Sequence, residues 1–110
     1  MVRALLTDFE LMILLAILRV GEHAYGVPIA REIERTGRRT VILGAVYAAL
    51  ERLERNGLVT SRMGHPSPER GGRAKRFFDV TPQGLKAVKD TQRSLVALWK
   101  GVAQLKGGTA

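Results

Sequence analysis

Two short stretches of the sequence concentrate side chains that hold anions. Arg38-Arg39-Thr40 runs directly into Val41-Ile42-Leu43-Gly44-Ala45-Val46-Tyr47-Ala48-Ala49. Arg70, Arg73, Lys75 and Arg76 lie within seven residues, against the single acid Glu69. Cations grouped on an outward loop can track a phosphate backbone; the alternative is a solvated loop. A helix entering a DNA groove must be slim at its leading end. Gly44, Ala45, Ala48 and Ala49 would let its backbone approach closely, and Thr40 and Tyr47 would offer hydroxyls to phosphates or base edges. Arg38 and Arg39 stand where the positive end of the helix dipole would point at the same partner. Small residues also serve helix packing inside a domain. Tyr47 could equally be a core aromatic with its hydroxyl at the edge.

Other chemistry finds no residues to carry it. The chain has no cysteine, which excludes disulfides, thiolate metal sites and a cysteine nucleophile. His23 and His65 are the only histidines and fall in different segments, so a metal site is not indicated. Gly71-Gly72-Arg73 is too short to cradle a phosphate and lacks the lysine and hydroxyl that follow in a P-loop. Most carboxylates alternate with arginines, the pattern of solvated helix faces. We expect no catalytic set, no cofactor and no enzyme.

Charge agrees with the anion-binding stretches. The 110 residues carry 18 Lys+Arg against 10 Asp+Glu, a net +8, and the pI is near 10.9. Residues 1–36 are net −1, 37–80 net +5 and 81–110 net +4. The excess thus sits on particular segments, as a polyanion partner requires. No stretch is apolar for long enough to span a membrane. The apolar run 11–18 follows Asp8 and Glu10, where a secretory signal would carry basic residues, so we expect a cytoplasmic protein.

These residues need elements to position them. Thr7-Asp8-Phe9-Glu10 has the spacing of a capping box and opens a first helix to about Val20, apolar almost all round. Tyr25-Gly26-Val27-Pro28 reads as a turn into a second helix ending at Gly37. The third helix is expected over 42–56, closed by Asn56-Gly57. Strands are expected over 58–62 and 75–80, joined by a loop that Gly64, Pro66, Pro68, Gly71 and Gly72 keep irregular. Thr81-Pro82 opens a last helix to about Leu105. Leu85, Val88, Gln92, Leu95, Trp99 and Val102 recur along it at helical spacing, a seam for a partner helix, with Gln92 able to set register. Trp99 is either an interface anchor or a stacking face for a planar apolar ligand between two subunits.

The order helix, helix, helix, strand, basic loop, strand, helix is mainly α (α+β): a winged helix-turn-helix with a two-stranded wing and a long C-terminal dimerisation helix. The DNA-binding region is expected over 1–81, the dimerisation helix over 82–106 and a flexible tail over 107–110. Three blocks stand out along this order. Glu10-Leu11 starts an apolar helix, and Tyr25-Gly26 opens the second. Gly44-Ala45-Val46-Tyr47-Ala48-Ala49-Leu50-Glu51-Arg52-Leu53-Glu54 runs into Gly57-Leu58-Val59. Gly72-Arg73-Ala74-Lys75-Arg76-Phe77-Phe78-Asp79-Val80-Thr81-Pro82-Gln83-Gly84 closes the series. With these blocks the chain resembles the PadR family of bacterial transcriptional regulators over about residues 5–88. The sequence departs from the family pattern at Val27-Pro28, Ala48 and Phe77-Phe78. The resemblance implies a homodimeric repressor on double-stranded DNA, of the family's short form with a single C-terminal helix. It implies dimerisation through that helix, with the first helix, here Leu11 and Leu15, contributing. Effectors bind in the dimer interface of some short members, which suits Trp99. The competing readings are a winged-helix protein-interaction module and a sequence-neutral architectural nucleic-acid binder.

Overall fold

Thr7 begins the fold as its spacing foretold. Its hydroxyl accepts from the Glu10 amide, and the Glu10 carboxylate accepts from the Thr7 amide, so both ends of the capping box close. The helix behind it, α1 (Asp8–Val20), stops where Gly21 takes a positive φ of 86°. In the computed structural model, which describes residues 6–37, 39–65 and 74–106, α2 (Gly26–Gly37) and α3 (Leu43–Arg55) follow. Next come strands β1 (Val59–Met63) and β2 (Arg76–Val80), the helix α4 (Pro82–Trp99) and a short 3-10 turn over Ala103–Leu105. The arrangement is a winged helix-turn-helix. α2 begins at Gly26, which leaves Pro28 in the first turn, where its missing amide costs nothing.

One core joins the three helices. Ile13 and Leu14 of α1, Ile29 of α2, and Val46, Leu50 and Leu53 of α3 are fully buried. Each such side chain contributes about 1.5–3 kcal/mol. The burial of α1 on most sides, expected from its own domain or a partner, is not completed within the protomer. Leu15 and Leu18 remain exposed while Ile13, Leu14, Ala16 and Ile17 are buried. Outside the core, Glu32 bridges Arg35 and Arg19. Hydrogen bonds from Arg35 and then Arg19 hold its carboxyl below the usual carboxylate range, and the same contact raises Arg35.

The sheet is antiparallel, with Val59 opposite Val80 and Met63 opposite Arg76. Alternation along β2 sends Phe78 into the core and Phe77 to the other face. The Phe78 amide also donates to the Ala24 carbonyl at 2.8 Å, tying the wing to the α1–α2 link.

Thr81 fastens α4 to the domain. Its hydroxyl accepts from the Gly84 amide and donates to the Gly57 carbonyl, while its own amide donates to the Leu58 carbonyl. Two expectations for α4 need correction. The helix ends at Trp99 instead of Leu105, because Lys100 turns extended and Gly101 adopts φ 81°. Val102 therefore leaves the helical seam. Val88, expected on that seam, is 9% exposed and belongs to the protomer's own core, since the first half of α4 packs on α1 and β2. From Gln92 onward every described residue is exposed. The radius of gyration is 16.1 Å, where a compact chain of this size has about 13 Å; the second half of α4 stands off the domain.

Candidate nucleic-acid interface

The outer face of α3 is set by what its inner face buries. With Val46, Ala49, Leu50 and Leu53 inward, the exposed side chains of its first two turns are Leu43, Gly44, Ala45, Tyr47 and Ala48. A Cβ placed on Gly44 would meet nothing within 4 Å, so this face is open as well as small. Its entry is held from α2, where the Glu34 carboxylate accepts from the Val41 amide at 2.8 Å. Ile42 occupies the N-cap without a side-chain acceptor, and the first turn carries no acid. The first amides of α3 thus meet neither a capping side chain nor a carboxylate from their own turn, in contrast to those of α1 and α4. Thr40 and Arg39 lie exposed just before them. The Arg39 guanidinium stands 6.0 Å from the centre of the Phe9 ring.

Tyr47 meets both readings of it halfway. It remains 43% exposed, and the hydroxyl end of its ring lies against Gly26, where even a Cβ would collide with it. This contact gives Tyr25-Gly26 a physical purpose at the start of α2.

The wing base reaches the start of α2. Lys75 Nζ lies 4.5 Å from the centre of the Tyr25 ring, so this cation is partly engaged within the protomer. Arg76 is exposed. Wing base, α2 start and α3 second turn are therefore joined through Lys75, Tyr25, Gly26 and Tyr47. Arg38, Arg70 and Arg73 lie outside the described residues.

Sequence reasoning passed over two features. Arg62 on β1 stacks its guanidinium 5.1 Å from the centre of the Phe77 ring, donates to the Glu22 carbonyl at 2.9 Å and lies 3.5 Å from an Asp79 carboxylate oxygen. His23 and Tyr25 pack edge-on to Phe77, at 5.8 and 5.9 Å between ring centres. Arg62 thus clamps both strands to the α1–α2 link; only its place on an outward strand position hinted at this. The second feature is Ile42 and Leu43, exposed apolar side chains at the entry of α3.

Among the described residues no group of three His, Cys, Asp or Glu could hold a metal ion, and no helix is long and apolar enough to cross a membrane. The expected dimer residues are placed less uniformly. Leu15, Leu85, Leu95 and Trp99 are exposed apolar groups, Gln92 is exposed, Leu11 is half-buried, Val88 is internal and Val102 lies beyond the helix.

Residues 14–90 match the model of the transcriptional regulator PadR-like family. The transcriptional regulator Rv3488 of Mycobacterium tuberculosis is 34% identical over 86 residues, covering 78% of this chain and 76% of that protein. Among solved structures, one described as the complex structure of hsRosR-S1 is 28% identical, with a TM-score of 0.66 over 90% of this chain and 80% of that one. A PadR-like transcriptional regulator from Bacillus cereus shares the fold at a TM-score of 0.70 and 23% identity, over 91% of this chain and 92% of that one.

Proposed function

We propose that this chain, which belongs to the transcriptional regulator PadR-like family, is a sequence-specific DNA-binding repressor that acts as a homodimer in the cytoplasm. The observation that carries the reading is the outer face of α3: small, open, uncapped at its N-terminus and preceded by the exposed cation Arg39, with Arg76 exposed on the wing. Such a helix fits the major groove, with the wing on the backbone beside it. Leu15, Leu18, Leu95, Leu98 and Trp99 are exposed in the protomer, which supports a second copy covering α1 and the free half of α4. Two-fold symmetry then requires a pseudo-palindromic operator with half-sites about 34 Å apart or a multiple of that. Trp99, with 62% of its surface open, supports a planar apolar effector seated between the subunits. Release by that effector requires only that it bind the DNA-free dimer more tightly.

Fluorescence anisotropy tests this on two labelled duplexes, the region upstream of the protein's own gene and a scrambled control, across salt concentrations. A preference of about 10³ or more at physiological salt is expected. With about six phosphates neutralised, log K falls against log salt with a slope near −5. Equal, steeply salt-dependent binding to both would favour the architectural binder. Binding to neither would favour the protein-interaction module.

Two arginines on the wing separate contact from support. Arg76→Ala is expected to weaken binding and flatten the slope by about 0.9 for each phosphate released. Arg62→Ala should cost about tenfold in affinity, the worth of a charge-assisted hydrogen bond, with the slope unchanged, because that guanidinium is engaged within the protomer. If Arg62→Ala flattened the slope instead, Arg62 would be a phosphate contact and its supporting role would be wrong.

A further inference from the structure

We propose that Ile42 and Leu43 read thymine, each covering a C5-methyl group in the major groove, so that the operator half-site carries thymine where they land. The inference rests on the DNA-binding reading above.

Ile42 is 74% exposed and Leu43 is 39% exposed. They occupy the N-cap and first position of α3, the end of a recognition helix that meets base edges. Scattered exposed apolar groups need no explanation. Here, however, two adjacent ones stand at the leading edge of the face that the charge and open shape aim at DNA.

The neighbouring side chains narrow what this face can read. Guanine is commonly read by Arg or Lys on its O6 and N7, and adenine by Asn or Gln on its N6 and N7. The exposed residues of the first two turns of α3 are Leu43, Gly44, Ala45, Tyr47 and Ala48, none of which can make either contact. Cytosine is read by a carboxylate accepting from its N4, and thymine by its methyl, which apolar side chains recognise; Leu43, Ala45 and Ala48 carry no acceptor and match the methyl. Gly44, Ala45 and Ala48 let the helix axis come close enough for its first residues to reach the groove floor.

A local cleft supports the same occupant. A notch of about 200 Å³ is lined by Phe9, Arg39, Thr40, Val41, Ile42 and Ala45. Its floor is apolar, and Arg39 and Thr40 supply a cation and a hydroxyl. A base edge bearing a methyl group and flanked by its phosphate presents the complementary pattern. A purely apolar protein partner would leave Arg39 facing an apolar surface.

The test uses the full chain and random-sequence duplexes enriched by binding to it. In the selected duplexes each thymine is replaced by deoxyuridine, one at a time, which removes the methyl and nothing else. Affinity is read by anisotropy at fixed salt. Loss of about fourfold is expected at one or more positions of each half-site, the worth of one buried methyl group. Ile42→Ala and Leu43→Ala, whose exposed positions leave the core untouched, should each bind the thymine and deoxyuridine duplexes alike at one of those positions. The inference is overturned if duplexes are enriched but no deoxyuridine lowers affinity, or if the loss persists unchanged in both variants. If no duplex is enriched, the DNA-binding reading itself fails and the inference falls with it.

Discussion

Gly84→Ala is expected to destabilise the domain by about 1–3 kcal/mol, although alanine is the better helix former by about 1 kcal/mol. The two effects oppose each other, so the sign of the measured change is decisive. A Cβ on Gly84 would collide with the Leu58 carbonyl oxygen and with Val80 Cγ1. The Leu58 oxygen is backbone and already accepts from the Thr81 amide, while the Thr81 hydroxyl donates to the Gly57 carbonyl. Neither side can swing away without breaking the knot that fastens α4 to the turn after α3. The first half of α4 would lift, and Val88 would lose its place in the core. Urea unfolding of both proteins measures the difference. Equal or greater stability for Gly84→Ala would mean that α4 docks with slack the geometry does not show.

Leu95→Asp is expected to leave the protomer folded and abolish the dimer. Leu95 is 47% exposed on the half of α4 that stands off the domain, so aspartate would meet water in the monomer and an apolar surface in the proposed dimer. An unpaired carboxylate buried there costs several kcal/mol, enough to dissociate a dimer at micromolar concentration. Analytical ultracentrifugation should give about twice 12.1 kDa for the parent chain and the single mass for the variant. Affinity for a palindromic duplex should fall by about 100-fold, because two linked half-sites become independent. Val88→Asp makes the contrast: that side chain is internal, so the variant should unfold rather than dissociate. A Leu95→Asp protein that remained dimeric would move the interface off the free half of α4.

Much of the fold was legible because its decisive interactions are local. The Thr7 and Glu10 reciprocal bonds span three residues, as does the Thr81 cap of α4. Asn56-Gly57 ends α3 as expected, with Gly57 at φ 77°. The strands were foreseen to within a residue because turn formers bound them. The end of α4 was not legible. Apolar residues continue in helical register through Val102 and Leu105, and periodicity does not register that Gly101 has left the helical region.

The candidate site divides along the same line. The cation-rich segments, the small residues near the start of α3, the order of elements and the caps that start and stop them were all readable from the residues alone. That is because residue type, charge and hydrogen bonds spanning a few positions do not depend on what lies across the molecule. The tertiary structure alone decided that Val88 faces inward while Leu95 faces out, and that the Tyr47 ring rests on Gly26. It alone showed Lys75 on Tyr25, Arg62 joined to Glu22, and Ile42 uncovered at the N-terminal end of α3. Those partners are separated by 21 to 50 residues along the chain. Packing chooses among apolar residues of one period by the surfaces that meet, and those surfaces exist only once α1, α2 and the wing have closed on each other.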